Sequence, residues 1–257
     1  MMIGDRSLEA KWWGPGPDEA PTLVLLHEGL GCVALWRDFP EALVEATGCG
    51  VFAYSRFGYG GSDPVPLPRP MTYMHDEALS VLPLVLDAAG VRRAILIGHS
   101  DGGSIAAIHA GAVHDPRVLG VVMLAAHFFV EDLNIASIRA IRQTYEESDL
   151  RVRLARYHRD VDVAFRGWND AWLDPGFRAF DITDQVACIR VPVLALQGGE
   201  DPYGSDAQLR MLERAARCDV ETRLIGGARH SPHLEARQAT MDAIVPFVRH
   251  VLMEATA

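Results

Sequence analysis

The chain has 257 residues, enough to bury one substantial core, and its 49% hydrophobic and 23% charged side chains are ordinary for a soluble globular protein. With 24 basic and 34 acidic residues its formal charge is -10, which argues against a nucleic-acid partner, since a phosphate backbone asks for a basic face. The most apolar stretch, VLGVVMLAAHFFV at 118–130, is too short to cross a bilayer, and the first residues lack a basic-then-apolar leader, so the expectation is a cytoplasmic protein with no membrane partner.

In chain order, LEAKWWG at 8–14 predicts an edge strand. TLVLLH (22–27), GVFAYS (50–55), AILIG (94–98), VVMLAA (121–126), VPVLALQ (191–197) and VETRLIG (220–226) read as buried strands. They are taken as apolar throughout, without alternation, as in a sheet covered on both faces. Helical spacing falls between them. Residues 73–89 carry apolar positions at Ala78, Leu79, Leu82, Leu86 and Ala89, and a second helix begins after Ser100 and ends near His114. A third covers 205–218 with Leu209, Leu212 and Ala216 aligned. The last covers 235–253 with Met241, Ile244, Val248 and Val251 aligned.

Strands alternating with helices predict an α/β fold, with a mostly parallel sheet and right-handed crossovers. From about 130 to 190 the rhythm breaks. That interval is rich in Arg, Asp, Trp and Tyr, shows helical patterns but no strand, and is too long for a connecting loop. It reads as a helical insertion over the sheet. Cys32, Cys49, Cys188 and Cys218 are scattered without CxxC or metal-ligand spacing, so they are expected to be reduced thiols. No metal or organic cofactor is expected.

One stretch carries chemistry. In LIGHSDGGS (96–104), Gly98-His99-Ser100-Asp101-Gly102 is a G-x-S-x-G pattern set between an apolar strand and a helix rich in small residues. Glycines two before and two after let a strained turn sit tight between strand and helix, and the helix N-terminus brings positive partial charge near the serine oxygen. A serine hydroxyl is a poor nucleophile and needs a base, usually a histidine oriented by a carboxylate.

This pattern resembles the nucleophile elbow of the α/β-hydrolases, whose chain order is Ser, then acid, then His. The resemblance implies Asp201, in GGEDPYG after the strand VPVLALQ, as the acid, with Glu200 its rival. It implies His230, in GARHSPHLEA after VETRLIG, as the base. His233 is placed at the start of the last helix, and His99 is taken as a packed neighbour of the strand end. For the oxyanion the family implies the N–H of Asp101, whose side chain suits the first helical turn, and a donor from the loop HEGLGCVALW: Gly29, or alternatively Leu30. Glu28 stands where the family usually has glycine. A carboxylate there opposes the developing charge, so Arg56 is expected to pair with it and shape the pocket floor. The segment YSRFGYGGSD resembles the family's glycine turn at Gly58, Gly60 and Ser62, with Ser55 and Phe57 in place of the usual Asp and Arg.

By the same resemblance, residues 1–130 and 190–257 form the hydrolase core and 131–189 a helical cap. In RGWNDAWLDPGFRAF (166–180) the aromatics Trp168, Trp172, Phe177 and Phe180 crowd together, mostly as cap core. Trp168 and Trp172, with Trp36, His127 and Tyr203 from strand ends, are expected at the cavity. The implied activity is hydrolysis of a small carboxylic ester or lactone through an acyl-serine. The alternatives are a carbon–carbon bond hydrolase of ring-cleavage products and, from another class, a non-catalytic small-ligand receptor. Ser100 disfavours the epoxide and haloalkane hydrolases, which use aspartate there. A monomer and a homodimer are both compatible with the sequence.

Overall fold

The computed structural model of the chain describes residues 1–255. Two short strands, β1 (Met2–Ile3) and β2 (Arg6–Ser7), form a separate antiparallel hairpin. Seven more make one sheet: β3 (Ala10–Trp13), β4 (Thr22–Leu26), β5 (Gly50–Tyr54), β6 (Ala94–His99), β7 (Val118–Leu124), β8 (Val193–Gly198) and β9 (Val220–Ile225), in the order β3-β5-β4-β6-β7-β8-β9. Only β3 runs antiparallel, at the edge beside β5, as LEAKWWG predicts.

Every residue of β4, β5, β6 and β8 is buried, because helices cover both faces. Successive side chains of a strand point to opposite faces, so each central strand feeds two cores. Leu23 and Leu25 of β4 join Ile95 and Ile97 of β6 in one core, under Phe39, Leu43, Ile244 and Val248. Val24, Leu26 and Leu96 enter the other, under Leu82, Ile105, Val186 and Leu212. Each fully buried leucine or isoleucine contributes roughly 1.5–3 kcal/mol.

The β9 reading needs correction. Its pattern is not uniformly apolar; Glu221, Arg223 and Leu224 are exposed, since an edge strand has a neighbour on one side only.

The helices that cover the first of these cores are α1 (Phe39–Thr47) and α11 (Arg237–Glu254). Sequence periodicity does not announce α1, although Pro40 opens it and Gly48, at φ 73°, ends it. On the other face α2 (Tyr73–Asp76) continues through a widened turn, 77–81, into α3 (Leu82–Ala88). Pro83 lies just beyond that turn and lacks the N–H a regular helix would use, which accounts for the local irregularity. Next to it lies α4 (Asp101–Ala112), almost wholly buried.

Between β7 and β8 the chain is helical: α5 (Asp132–Glu147), α6 (Leu150–Leu154), α7 (Val161–Leu173) and α8 (Thr183–Ala187). α5 and α7 pack on one another, with Tyr145 stacked on Phe165 at 3.6 Å. The Asp160 side chain accepts the Val163 N–H and so caps α7. α9 (Ala207–Ala215) follows β8, and α10 (Pro232–Glu235) precedes α11. Among the described residues no helix is long and apolar enough to cross a membrane.

Candidate active site

Ser100 joins β6 to α4 at φ 52° and ψ −119°, a conformation that costs a non-glycine residue on the order of 1–3 kcal/mol. The surroundings hold it there. Its N–H donates to the Leu124 carbonyl at 2.8 Å, and its own carbonyl accepts from Gly103 N at 2.8 Å and Ser104 N at 3.1 Å. The flanking glycines are needed for close approach: a Cβ on Gly98 would lie 2.2 Å from the Gly102 carbonyl oxygen, and one on Gly102 1.9 Å from that of Leu26. Strand, turn and helix are therefore pressed together, and the serine is left at the mouth of the helix.

Asp201 follows β8 and is buried. Its Oδ2 accepts from Gln197 Nε2 at 2.6 Å, and its Oδ1 from the Tyr203 N–H at 2.8 Å. Nδ1 of His230 sits 3.0 and 2.9 Å from the two oxygens. Burial opposes ionisation of Asp201, but the His230 hydrogen bond and charge outweigh it and hold the carboxyl below the usual range. Glu200, the rival, is exposed. His233 lies on α10 rather than on the last helix, buried against Trp36 and Phe39 of the first core, with ring centroids 5.1 and 5.2 Å away.

Ser100 and His230 line one cavity of about 160 Å³, together with Glu28, Gly29, Leu30, Asp101, His127, Ile138, Trp168, Trp172 and Tyr203. In it the Ser100 hydroxyl makes its hydrogen-bond contact with Nε2 of His127, at 3.4 Å. His127 stacks on His230 with centroids 5.7 Å apart. Gly29 lies directly under the Trp168 indole; a Cβ there would come within 2.1 Å of Nε1. The Asp101 N–H opens α4, where no carbonyl four residues back is available to it. Its carboxylate accepts from the Tyr73 hydroxyl at 2.6 Å and from Trp172 Nε1 at 3.3 Å, which ties α7 to the start of α4. Burial pushes this carboxyl upward, against the pull of Arg56.

Two expectations fail. Arg56 does not pair with the Glu28 carboxylate. Its Nη2 donates to the Glu28 main-chain carbonyl at 2.9 Å, and its nearest carboxylate is Asp101 at 3.8 Å. Arg56 is buried beside Tyr59 and does not line the cavity. Glu28 instead turns to His99, Oε2 to Nδ1 at 3.3 Å, while His99 Nε2 donates to the His230 carbonyl at 2.7 Å. Trp36 also misses the cavity: it lies in the turn 33–36 and is packed on Phe39, His233 and His99 within the first core.

Two residues escaped the sequence reading. Ile138 reaches the cavity from α5, on a surface that helical spacing would mark only as apolar. Asn134 stands behind His127, and its signal is the spacing Glu131-x-x-Asn134, a capping box at the start of α5. Among the described residues no group of three or more His, Cys, Asp or Glu side chains is placed to hold a metal ion.

With this geometry described, comparison with known proteins places the chain. The model of the alpha/beta hydrolase family matches residues 23–243. Mouse protein phosphatase methylesterase 1 is 30% identical over 115 residues, 41% of this chain; the match spans 28% of that longer protein. A non-heme chloroperoxidase of Streptomyces lividans is 28% identical over 247 residues, covering 82% of this chain and 86% of its own. Among solved structures, one from the study of carboxylesterases of the thaumarchaeon Nitrososphaera gargenis superposes with a TM-score of 0.78 at 17% identity, over 99% of each chain. The mostly parallel seven-stranded sheet flanked by helices is the alpha/beta hydrolase fold, and the chain belongs to the alpha/beta hydrolase family.

Proposed function

We propose that the protein is a serine hydrolase cleaving a small carboxylic ester or lactone through an acyl-serine intermediate. The observation that carries this reading is the meeting, on one small apolar cavity, of Ser100 at a strained strand–helix turn and His230 backed by Asp201. Asp201 accepts from Nδ1–H of His230, which leaves the Nε2 lone pair free to act as base. Ser100 Oγ then bonds to the carbonyl carbon as its proton passes to His230. The carbonyl oxygen takes the negative charge and is held by the N–H groups of Gly29 and Asp101. The alkoxy group departs with the His230 proton, and water repeats the attack on the acyl-serine. Catalytic hydrogen bonds often tighten only once substrate binds, so the reading does not require Ser100 Oγ to rest on His230 Nε2 beforehand.

In this reading residues 131–189 act as a cap, with Trp168 and Trp172 of α7 closing the cavity above Gly29 and Asp101. At about 160 Å³ the cavity is smaller than typical sites for drug-sized ligands, so a short acyl group is expected. The names of the carboxylesterase and methylesterase relatives agree with ester chemistry.

The test is turnover of p-nitrophenyl esters from acetate upward, wild type beside Ser100→Ala. The expected result is an optimum at the short chains and a loss of at least about a thousandfold in the variant. Equal turnover by both proteins would overturn the reading. Labelling of Ser100 by a fluorophosphonate without ester turnover would keep the nucleophile and move the substrate to the carbon–carbon class.

A further inference from the structure

We infer that His127 is a further catalytic residue, whose Nε2–H donates a hydrogen bond to Oγ of Ser100 while His230 takes the serine proton. The inference rests on the serine-hydrolase reading above, and it follows from the orientation of one buried amide.

Asn134 is fully buried. Its Oδ1 accepts the Glu131 N–H in the capping box, and its Nδ2 donates to the Tyr203 carbonyl. Rotating the amide by half a turn would set oxygen against a carbonyl and NH2 against an N–H, so both backbone partners fix it one way round. In that orientation Nδ2 also faces Nδ1 of His127, at 3.4 Å. A donor there requires a lone pair on Nδ1. Burial, reinforced by the charge of neighbouring His230, pulls the His127 imidazole down to about 3, so near neutral pH the ring carries one proton. That proton belongs on Nε2, the nitrogen 3.4 Å from Ser100 Oγ.

The two histidines at the serine thus hold opposite tautomers. His230 keeps its proton on Nδ1, against Asp201, and offers a lone pair at Nε2. His127 has its lone pair turned away, toward Asn134, and offers N–H. Only His230 can act as the base. The aim of His127 is rigid: Ser104 Oγ donates to its carbonyl at 2.5 Å and accepts from its N–H at 3.2 Å, and the ring stands edge-on to Trp172 with centroids 5.2 Å apart. Ala125, at φ 49°, bends the chain as it leaves β7 just before this residue.

No bond to His127 is made or broken in the reaction. In acylation, the proton of Oγ moves to Nε2 of His230 as Oγ bonds to carbon, and the carbonyl electron pair moves onto its oxygen. In deacylation the tetrahedral adduct collapses, Oγ leaves with the electron pair of its bond to carbon, and it recovers a proton from His230. Proton transfer runs ahead of C–O bond formation in acylation and behind C–O cleavage in deacylation. Oγ therefore carries partial negative charge in the transition state of each step, and the His127 N–H stabilises it there.

The experiment compares wild type, His127→Phe and His127→Gln in three readouts: the rate of fluorophosphonate labelling at Ser100, kcat and KM on a short p-nitrophenyl ester, and thermal melting to verify folding. Phenylalanine keeps the packing without the donor; glutamine restores a side-chain N–H. The expected result is a loss on the order of ten- to a hundredfold in labelling and kcat for His127→Phe, with KM little changed and most of the loss recovered in His127→Gln. A folded His127→Phe within about threefold of wild type, or a glutamine variant no better than phenylalanine, would overturn the inference. Should the variants not fold, ¹⁵N-histidine NMR of the wild type decides: a proton on Nε2 of His127 sustains it, and one on Nδ1 ends it. Failure of the fluorophosphonate to label wild-type Ser100 would instead sink the serine-hydrolase reading itself.

Discussion

Glu28 lines the cavity beside Ser100, where in the proposed reaction an unpaired carboxylate would oppose the developing negative charge, and its carboxylate is paired with His99. Burial works against a charge on His99, but the hydrogen bond and charge of Glu28 outweigh it and raise the imidazole; in return Glu28 is held below the usual carboxyl range despite its own burial. His99 also bonds the His230 carbonyl, so the pair braces the loop that carries His230. The signs follow from linkage. The raised histidine contributes stability fully below about pH 6.5 and loses it as pH rises through its folded value. The depressed carboxyl contributes above about pH 4.3 and loses it as pH falls through its folded value. Both are in force between those limits. Glu28→Gln is therefore expected to lower unfolding free energy by about 1–2 kcal/mol near pH 5.5 and by much less near pH 9, as measured by urea denaturation at the two pH values.

At the scale of elements, the start of α5 links the insertion to the loop that bears Asp201. Beyond its capping box, Glu131 accepts from Ser205 N–H at 3.0 Å, Ser205 Oγ at 2.5 Å and Gln208 Nε2 at 2.7 Å, while Ser137 Oγ of the same helix donates to the Pro202 carbonyl. Glu131→Ala removes a cap and leaves part-buried donors unpaired, and it is expected to cost about 2–3 kcal/mol. Thermal melting would detect this as a clear fall in Tm; an unchanged Tm would mean the junction is held by packing alone. Elements with strong local signals were legible in advance. The buried strands announce themselves by apolar runs, and α4 and α11 by spacing and length. The nine residues of α1 offered too few turns for periodicity, and β9 carries charges that only its edge position tolerates.

For the molecule as a whole, the buried histidines set the response to acid. His27, His127 and His233 are all held well below the ordinary imidazole range, first by burial. Below about pH 6.5 the unfolded chain takes up protons that the folded chain refuses, so stability falls by up to about 1.4 kcal/mol per pH unit for each such group. His99, with its raised value, works in the opposite sense. Tm is expected to drop steadily from pH 7.5 to 5, and His233→Phe, which keeps the ring against Trp36 and Phe39, is expected to make that drop shallower. Equal slopes for the two proteins would show that His233 takes no part.

Ser100 stands out in the sequence by a glycine-framed turn after an apolar run, and the family resemblance points to Asp201 and His230 in loops directly following strands. The structure sets Ser100 and His230 on one cavity with Asp201 behind His230. Those local patterns reflect backbone needs, and backbone needs are written over a few neighbouring residues. The partners of Arg56 and Glu28, the burial of Trp36 away from the cavity, and the Asn134–His127–Ser100 series were decided only by the tertiary structure. In each case the outcome depends on which way side chains turn where strand ends far apart in sequence converge, and desolvation and hydrogen-bond satisfaction choose among those directions only once the sheet has assembled.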